Sequence, residues 1–142
     1  MKTKDFLKSL SALAANLRQV IEAEVAGFDP SPRAVAARRE KVLDPVGGYE
    51  YFVNTYFPHY IRSAEKSELH RYLFKRLPEV LRAPEGCPEA IGAPRGEGKS
   101  TQVTQLFTLY CIVTAQKHYC VIVMDSIDQA YPMLEAVKAE LA

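Results

Sequence analysis

The stretch Ala93-Pro94-Arg95-Gly96-Glu97-Gly98-Lys99-Ser100-Thr101 decides how the rest of this sequence is interpreted. It fits the phosphate-binding pattern GxxxxGK[ST], with Ala93 at the first position, where glycine is usual. Gly96 and Gly98 allow the main chain to curl, so that successive N–H groups point inward and form a nest for an anion. A helix that begins near Gly98 adds the positive end of its dipole. The stretch therefore predicts a loop that holds phosphate groups.

Three side chains of this loop have predicted roles of their own. Lys99 reaches the β- and γ-phosphates of a nucleotide as a mobile point charge. The hydroxyl of Ser100 is a ligand for Mg²⁺, and Thr101 is next in line for a phosphate oxygen. The predicted cofactors are therefore ATP and Mg²⁺, held by the loop from Ala93 to Thr101. A glycine-rich surface turn is the alternative interpretation.

The sequence around the loop predicts an α/β fold. After the loop, apolar residues recur at the spacing of a buried helix face (Val103, Leu106, Phe107, Tyr110 and Val113). Before it, Glu89-Ala90-Ile91 is a thin strand signal. Residues 119–124 are nearly all apolar and rich in Val and Ile, which predicts a strand buried on both faces. We therefore expect an incomplete P-loop NTPase core, with parallel strands and flanking helices, preceded by a helical N-terminal region.

Composition excludes few functions. The 142 residues are 48% hydrophobic and 25% charged, as in a soluble globular chain, and the net charge of +1 gives no global attraction to nucleic acid or membranes. Three cysteines without a CxxC pair indicate reduced thiols in a cytosolic setting (Cys87, Cys111 and Cys120). No stretch approaches the roughly 20 apolar residues that span a bilayer.

Helices are predicted both before and after the clearest break in the chain, Asp44-Pro45-Val46-Gly47-Gly48. Apolar spacing predicts an amphipathic helix over residues 5–26, and a second one begins after Ser31-Pro32, with Ser31 as its N-cap. Residues 1–45 are therefore predicted to form a helical arm. Residues 46–142 are predicted to be the N-terminal part of a P-loop ATPase domain, truncated.

Two more helices are expected before the loop and one after the predicted strand. The aromatic-rich stretch 49–57 predicts a helix stopped by Pro58, with its rings in the core instead of on a base-stacking surface. A longer helix is predicted from about residue 64 to 76 and is closed by Pro78 and Pro84-Glu85-Gly86. Residues 130–141 return to helical spacing.

The chemistry of hydrolysis is only partly represented. It needs a carboxylate for the Mg²⁺ shell and a group that orients the attacking water. Asp125, at the end of the predicted strand, is the local candidate for the carboxylate, with helix capping as its alternative role. We therefore expect the chain to bind ATP without turning it over by itself. His59, His70 and His118 are isolated, so each is expected to be a surface or hydrogen-bonded core residue instead of a catalyst. Of the three, His70 lies shortly upstream of the loop, where a residue that contacts adenine could sit.

Several motifs resemble the large terminase subunits of tailed bacteriophages and prophages. The phosphate loop beginning Ala93-Pro94-Arg95-Gly96 is similar, as are Tyr56-Phe57-Pro58-His59-Tyr60 and the Leu69-His70 pair. Val121-Ile122-Val123-Met124-Asp125-Ser126 with Gln129-Ala130 also resembles that family at similar spacings. The resemblance covers about residues 45–142.

The resemblance implies an ATPase that drives double-stranded DNA into a procapsid in the bacterial host cytoplasm. Its implied partners are double-stranded DNA, the portal protein and the small terminase subunit, with an oligomer left open for the full motor. Lys99 and Arg95 would be the catalytic residues, Arg95 by stabilising charge on the γ-phosphate or sensing the nucleotide. Chemistry alone leaves Arg95 solvated or paired with Glu97.

This chain lacks the later acidic strand and the nuclease cluster of that family, so we expect a fragment or a truncated gene product without nuclease activity. Two other functions stay open. One is a small P-loop phosphotransferase that uses Asp125 for Mg²⁺. The other is a non-catalytic helical adaptor in which the loop is vestigial.

Overall fold

The computed structural model describes residues 27–61 and 65–141, and in these ranges the chain is helical, with no β-strand. The α-helices are α1 (Pro32–Val42), α2 (Gly48–Tyr56), α3 (Glu68–Arg82), α4 (Phe107–Val113) and α5 (Ile127–Leu141). A 3₁₀ turn lies at Pro58–Tyr60, and a π-helical segment, Ser100–Leu106, runs directly into α4. The chain divides into two compact units, Met1–Ala37 and Arg38–Ala142.

Helix α1 begins where the sequence predicts. The main-chain N–H of Ala34 donates a hydrogen bond of 3.3 Å to the hydroxyl of Ser31, and Pro32 is the first helical residue. This arrangement satisfies an N–H that has no partner inside the helix, and Pro32 loses nothing there because its nitrogen carries no hydrogen. The helix predicted over residues 5–26 lies outside the described residues.

The core of the second unit is built around the aromatic face of α2. Tyr49, Phe52, Val53 and Phe57 are all buried, which confirms that this stretch is core. The Tyr49 ring alone contacts three other aromatic rings at centroid distances of 5.3–5.6 Å, tilted or edge-on as aromatic pairs prefer. The remaining buried apolar residues come from the other elements: Val42, Leu73, Phe74, Leu77, Leu81, Leu106, Leu109, Tyr110, Cys111 and Val137.

Helix α3 runs further than predicted, because Pro78 does not end it. The helix continues to Arg82, and Ala83 caps it immediately before Pro84. A proline inside a helix costs about 3 kcal/mol. Leu77 and Leu81 are both buried, and burial of each side chain contributes roughly 1.5–3 kcal/mol. Packing against the core therefore offsets the cost of Pro78, which was the only contribution that the prediction from sequence considered.

The predicted α/β core with parallel strands is wrong for the residues that the structure describes. Residues 89–91 and 119–124 form no strand, and the side chains of Tyr119 and Val123 are both 86% exposed. A Val- and Ile-rich run becomes a buried strand only where neighbouring strands satisfy its N–H and C=O groups. No described segment supplies that pairing, so the run lies in an irregular connection between α4 and α5.

Helix α5 follows this connection, as the spacing of its apolar residues predicts, although only Val137 is buried among its described side chains. Among the described residues, no helix is both long enough and apolar enough to cross a bilayer.

Candidate phosphate-binding site

The main chain of the predicted phosphate loop turns through two glycines. Gly96 has φ of +92° and Gly98 has φ of +69°, values that residues with a Cβ rarely adopt. Lys99 is already helical, with φ of −52°, and the N–H of Gln102 donates a hydrogen bond of 2.9 Å to the carbonyl of Gly98. The loop therefore leads straight into a helix, as predicted, although no strand precedes it.

A cavity of about 890 Å³ opens beside this loop. All nine predicted residues, Ala93 to Thr101, line the cavity. The other described lining residues come from α2, the 3₁₀ turn and the residue after it, residues 65–67, α3 and the π-helical segment: Asn54, Tyr60, Ile61, Glu65, Lys66, Ser67, His70, Phe74 and Gln102. Ligand pockets in proteins measure roughly 300–1,000 Å³. The cavity therefore has the size of a small-molecule site.

The charges around the cavity are mixed, with a small positive excess. Among the described residues, three cationic side chains line it (Lys66, Arg95 and Lys99), together with two acidic ones (Glu65 and Glu97). Lys66 forms an ion pair with Glu50. Within the described part of the chain, Lys99 and Arg95 form no ion pair, and Arg95 is exposed instead of being paired with Glu97. Two cations in the loop are thus available to an anionic ligand.

Ser100 fits the predicted role of a magnesium ligand. It lines the cavity and is exposed. Magnesium in nucleotide sites usually keeps several waters and takes few protein ligands beside the phosphates, so a single hydroxyl is a reasonable contribution. Across residues 27–61 and 65–141, no group of three or more His, Cys, Asp or Glu residues could hold a metal ion by itself.

Asp125 is not brought to this site. It is exposed, and it is not among the residues that line the cavity. The structure therefore does not support the interpretation in which Asp125 holds Mg²⁺ for a phosphotransferase. The carbonyl of the next residue, Ser126, accepts hydrogen bonds from Gln129 and Ala130 at the start of α5.

A partly buried polar network that includes Tyr60, a residue of the cavity wall, was not predicted from the sequence. The side-chain amide of Gln105 donates to the hydroxyl of Tyr60 (2.6 Å), which donates in turn to Oε1 of Glu140 (2.7 Å). Burial, and then the hydrogen bond with Glu140, raises the pKa of Tyr60 to about 12. The two hydrogen bonds join residues that are 45 and 80 positions apart in the sequence. No local sequence pattern can predict contacts at such separations.

His70 lies beside Gly98, near the end of the loop that leads into the helix. Its Nδ1 is 3.1 Å from the hydroxyl of Ser67, the N-cap residue of α3. Its Nε2 is 3.6 Å from the position that a Cβ on Gly98 would occupy. The imidazole therefore faces the phosphate loop, close to the point where the helix begins.

Comparisons of this chain with protein-family models, with curated proteins and with solved structures gave no match. The loop with its two left-handed glycines, the cavity beside it and the unpaired cations are consequently the observations from which a function is argued. Together they make this loop and its cavity the candidate functional site.

Proposed function

We propose that this chain binds ATP through the loop from Ala93 to Thr101. The observation that carries the proposal is the positive φ of Gly96 and Gly98 directly before a helix, in the wall of a cavity of about 890 Å³. Consecutive N–H groups in such a turn, together with the first N–H groups of the helix, have no partner in the main chain and suit an anion.

The loop side chains extend this proposal to a triphosphate. Lys99 supplies a mobile positive charge for the outer phosphates, and Arg95 supplies a second cation that is not engaged by Glu97. Ser100 contributes a hydroxyl to the shell of a Mg²⁺ ion shared with the phosphates. Glu97 lines the same cavity and opposes an anion, so the two cations and the main-chain N–H groups must outweigh it.

We propose the cellular setting on the resemblance to large terminase subunits. In that setting the chain is the ATP-binding portion of a motor that packages double-stranded DNA into procapsids in the bacterial host cytoplasm. Double-stranded DNA, the portal protein and the small terminase subunit are its proposed partners. The sequences of the loop and its flanking motifs support this setting. The helical fold gives it no further support.

Calorimetric titration of the chain with ATP, with and without Mg²⁺, tests the proposal. Lys99→Ala should weaken binding about tenfold to a hundredfold, because hydrogen bonds between charged groups contribute about 1.5–3 kcal/mol. Lys117→Ala is the matched control, since Lys117 is exposed and lies away from the cavity. Equal affinities for the wild type and Lys99→Ala, or no binding by the wild type, would refute ATP binding at this loop.

A further inference from the structure

His70 is held in one orientation by its own helix. The hydroxyl of Ser67 meets Nδ1 of His70 at 3.1 Å and accepts the main-chain N–H of His70 at 3.4 Å. Two contacts with the same N-cap residue leave the Nε2 edge as the free edge of the ring. That edge points at Gly98, with 3.6 Å between Nε2 and the position of a glycine Cβ.

The distance has a direct chemical meaning. A gap of 3.6 Å from a Cβ position is ordinary van der Waals contact, so the ring lies close to the loop at Gly98. The N–H groups of the loop and of the first helical turn are the groups that would surround a phosphate. The Nε2 edge of the ring therefore lies beside the groups that would surround a phosphate.

The contact with Ser67 is compatible with a proton on Nε2. When the Ser67 hydroxyl donates to Nδ1, the neutral ring carries its proton on Nε2 and is a donor there. An anionic ligand favours this arrangement, because phosphate oxygens accept hydrogen bonds and repel an unprotonated ring nitrogen. In that tautomer His70 presents a donor to the loop from α3, an element that the phosphate-loop pattern does not include.

We infer that His70 is a phosphate-binding residue of this site, which donates a hydrogen bond from Nε2 to the polyphosphate held by the loop from Ala93 to Thr101. The inference rests on the proposed function and deepens it, since it states that His70 contacts the phosphates of ATP and not the adenine base. The role of an adenine contact, expected from the position of His70 in the sequence, is the competing assignment.

Inorganic triphosphate separates the two assignments, because it carries the phosphates of ATP without ribose or base. Affinities of ATP and inorganic triphosphate are measured by calorimetry for the wild type, His70→Ala, His70→Phe and His70→Gln. The Phe variant keeps a ring of similar size without the donor, and the Gln variant restores an N–H at a similar reach. His118→Ala is the control, since His118 is exposed and does not line the cavity.

The inference expects His70→Ala and His70→Phe to weaken both ligands by the same factor, about tenfold. His70→Gln should recover much of the loss, and His118→Ala should bind as the wild type does. Loss for ATP alone would assign His70 to the base and overturn the inference, as would wild-type affinity in both the Ala and Phe variants. If the wild type binds neither ATP nor inorganic triphosphate, the proposed function itself is overturned. That result differs from the two outcomes that overturn only the role of His70.

Discussion

The hydroxyl of Tyr49 donates a hydrogen bond of 2.6 Å to the main-chain carbonyl of Gln102. Gln102 lies in the π-helical segment that follows the phosphate loop, and its carbonyl also accepts the N–H of Phe107 five residues later. Wide turns of this kind are rare and occur often at functional sites. The bond therefore ties the buried helix α2 to the segment that positions the loop.

Replacement of Tyr49 by Phe should lower the free energy of unfolding by about 1 kcal/mol, the usual net value of one hydrogen bond. The Gln102 carbonyl keeps its bond from Phe107, whereas the buried Oε1 of Gln102, 3.3 Å from the same hydroxyl, loses a partner. Urea titration followed by circular dichroism measures the difference. Tyr51→Phe is the control, since no hydrogen bond of its hydroxyl is found in the described ranges, and it should change stability by less than about 0.5 kcal/mol. Equal losses in both variants would contradict the assignment.

Alanine at Gly96 or Gly98 should weaken ATP binding about tenfold. Each glycine has a positive φ, which costs a residue with a Cβ roughly 1–2 kcal/mol, and relief of that strain moves the N–H groups away from the phosphates. Crowding is not the cause, since the nearest atom to a Cβ at Gly98 is 3.6 Å away.

Gly92→Ala is the matched control for these two variants. Gly92 precedes the loop, has no positive φ and has open space around its Cβ position. It should bind ATP as the wild type does. If calorimetry shows the same loss at position 92 as at positions 96 and 98, the loop geometry is not what binds the phosphates.

Alkaline pH should destabilise the protein through Tyr60. Its pKa is raised from 10.0 to about 12 in the folded state, so folding favours the protonated hydroxyl. The resulting stabilisation is fully present below pH 10 and is lost as the pH rises toward about 12. Tyr60→Phe should therefore show a smaller fall in the free energy of unfolding across this window, measured by urea titration at successive pH values.

Tyr119→Phe is the control for the alkaline experiment, because the Tyr119 side chain is 86% exposed. It should keep the wild-type dependence on pH. Other buried groups, such as Cys111, whose pKa burial raises to about 12, contribute equally to both variants and cancel in the comparison. A pH dependence in Tyr60→Phe equal to that of the wild type would contradict the role of the Tyr60–Glu140 bond.

The all-helical fold and the α/β interpretation predict opposite effects on stability when Val123 is replaced by a polar residue. Val123→Thr should change the free energy of unfolding by less than about 0.5 kcal/mol, because the side chain is 86% exposed. Val137→Thr, in α5 and only 3% exposed, buries a hydroxyl and should cost about 1–3 kcal/mol. Thermal and urea denaturation compare the two. A large loss at position 123 would mean that this run is buried after all.

Local signals predicted several elements correctly. Ser31-Pro32 begins α1, the aromatic residues 49–57 form a buried helix, and residues 127–141 form α5. In each case the decisive physics lies within a few residues: a cap, a helical repeat or a proline at a helix start. The continuation of α3 past Pro78 was not predictable in this way, because distant core residues stabilise it.

The sequence by itself determined the composition of the phosphate loop and the start of a helix after it, since glycines that tolerate positive φ and a following helical repeat are local properties. Tertiary structure decided the rest of the site. It placed His70 opposite Gly98, left Asp125 outside the cavity and left residues 119–124 unpaired. A helix satisfies its own main-chain hydrogen bonds, whereas a strand needs partners from elsewhere in the chain. Only the folded chain therefore decides whether an apolar run becomes a buried strand or an unpaired connection.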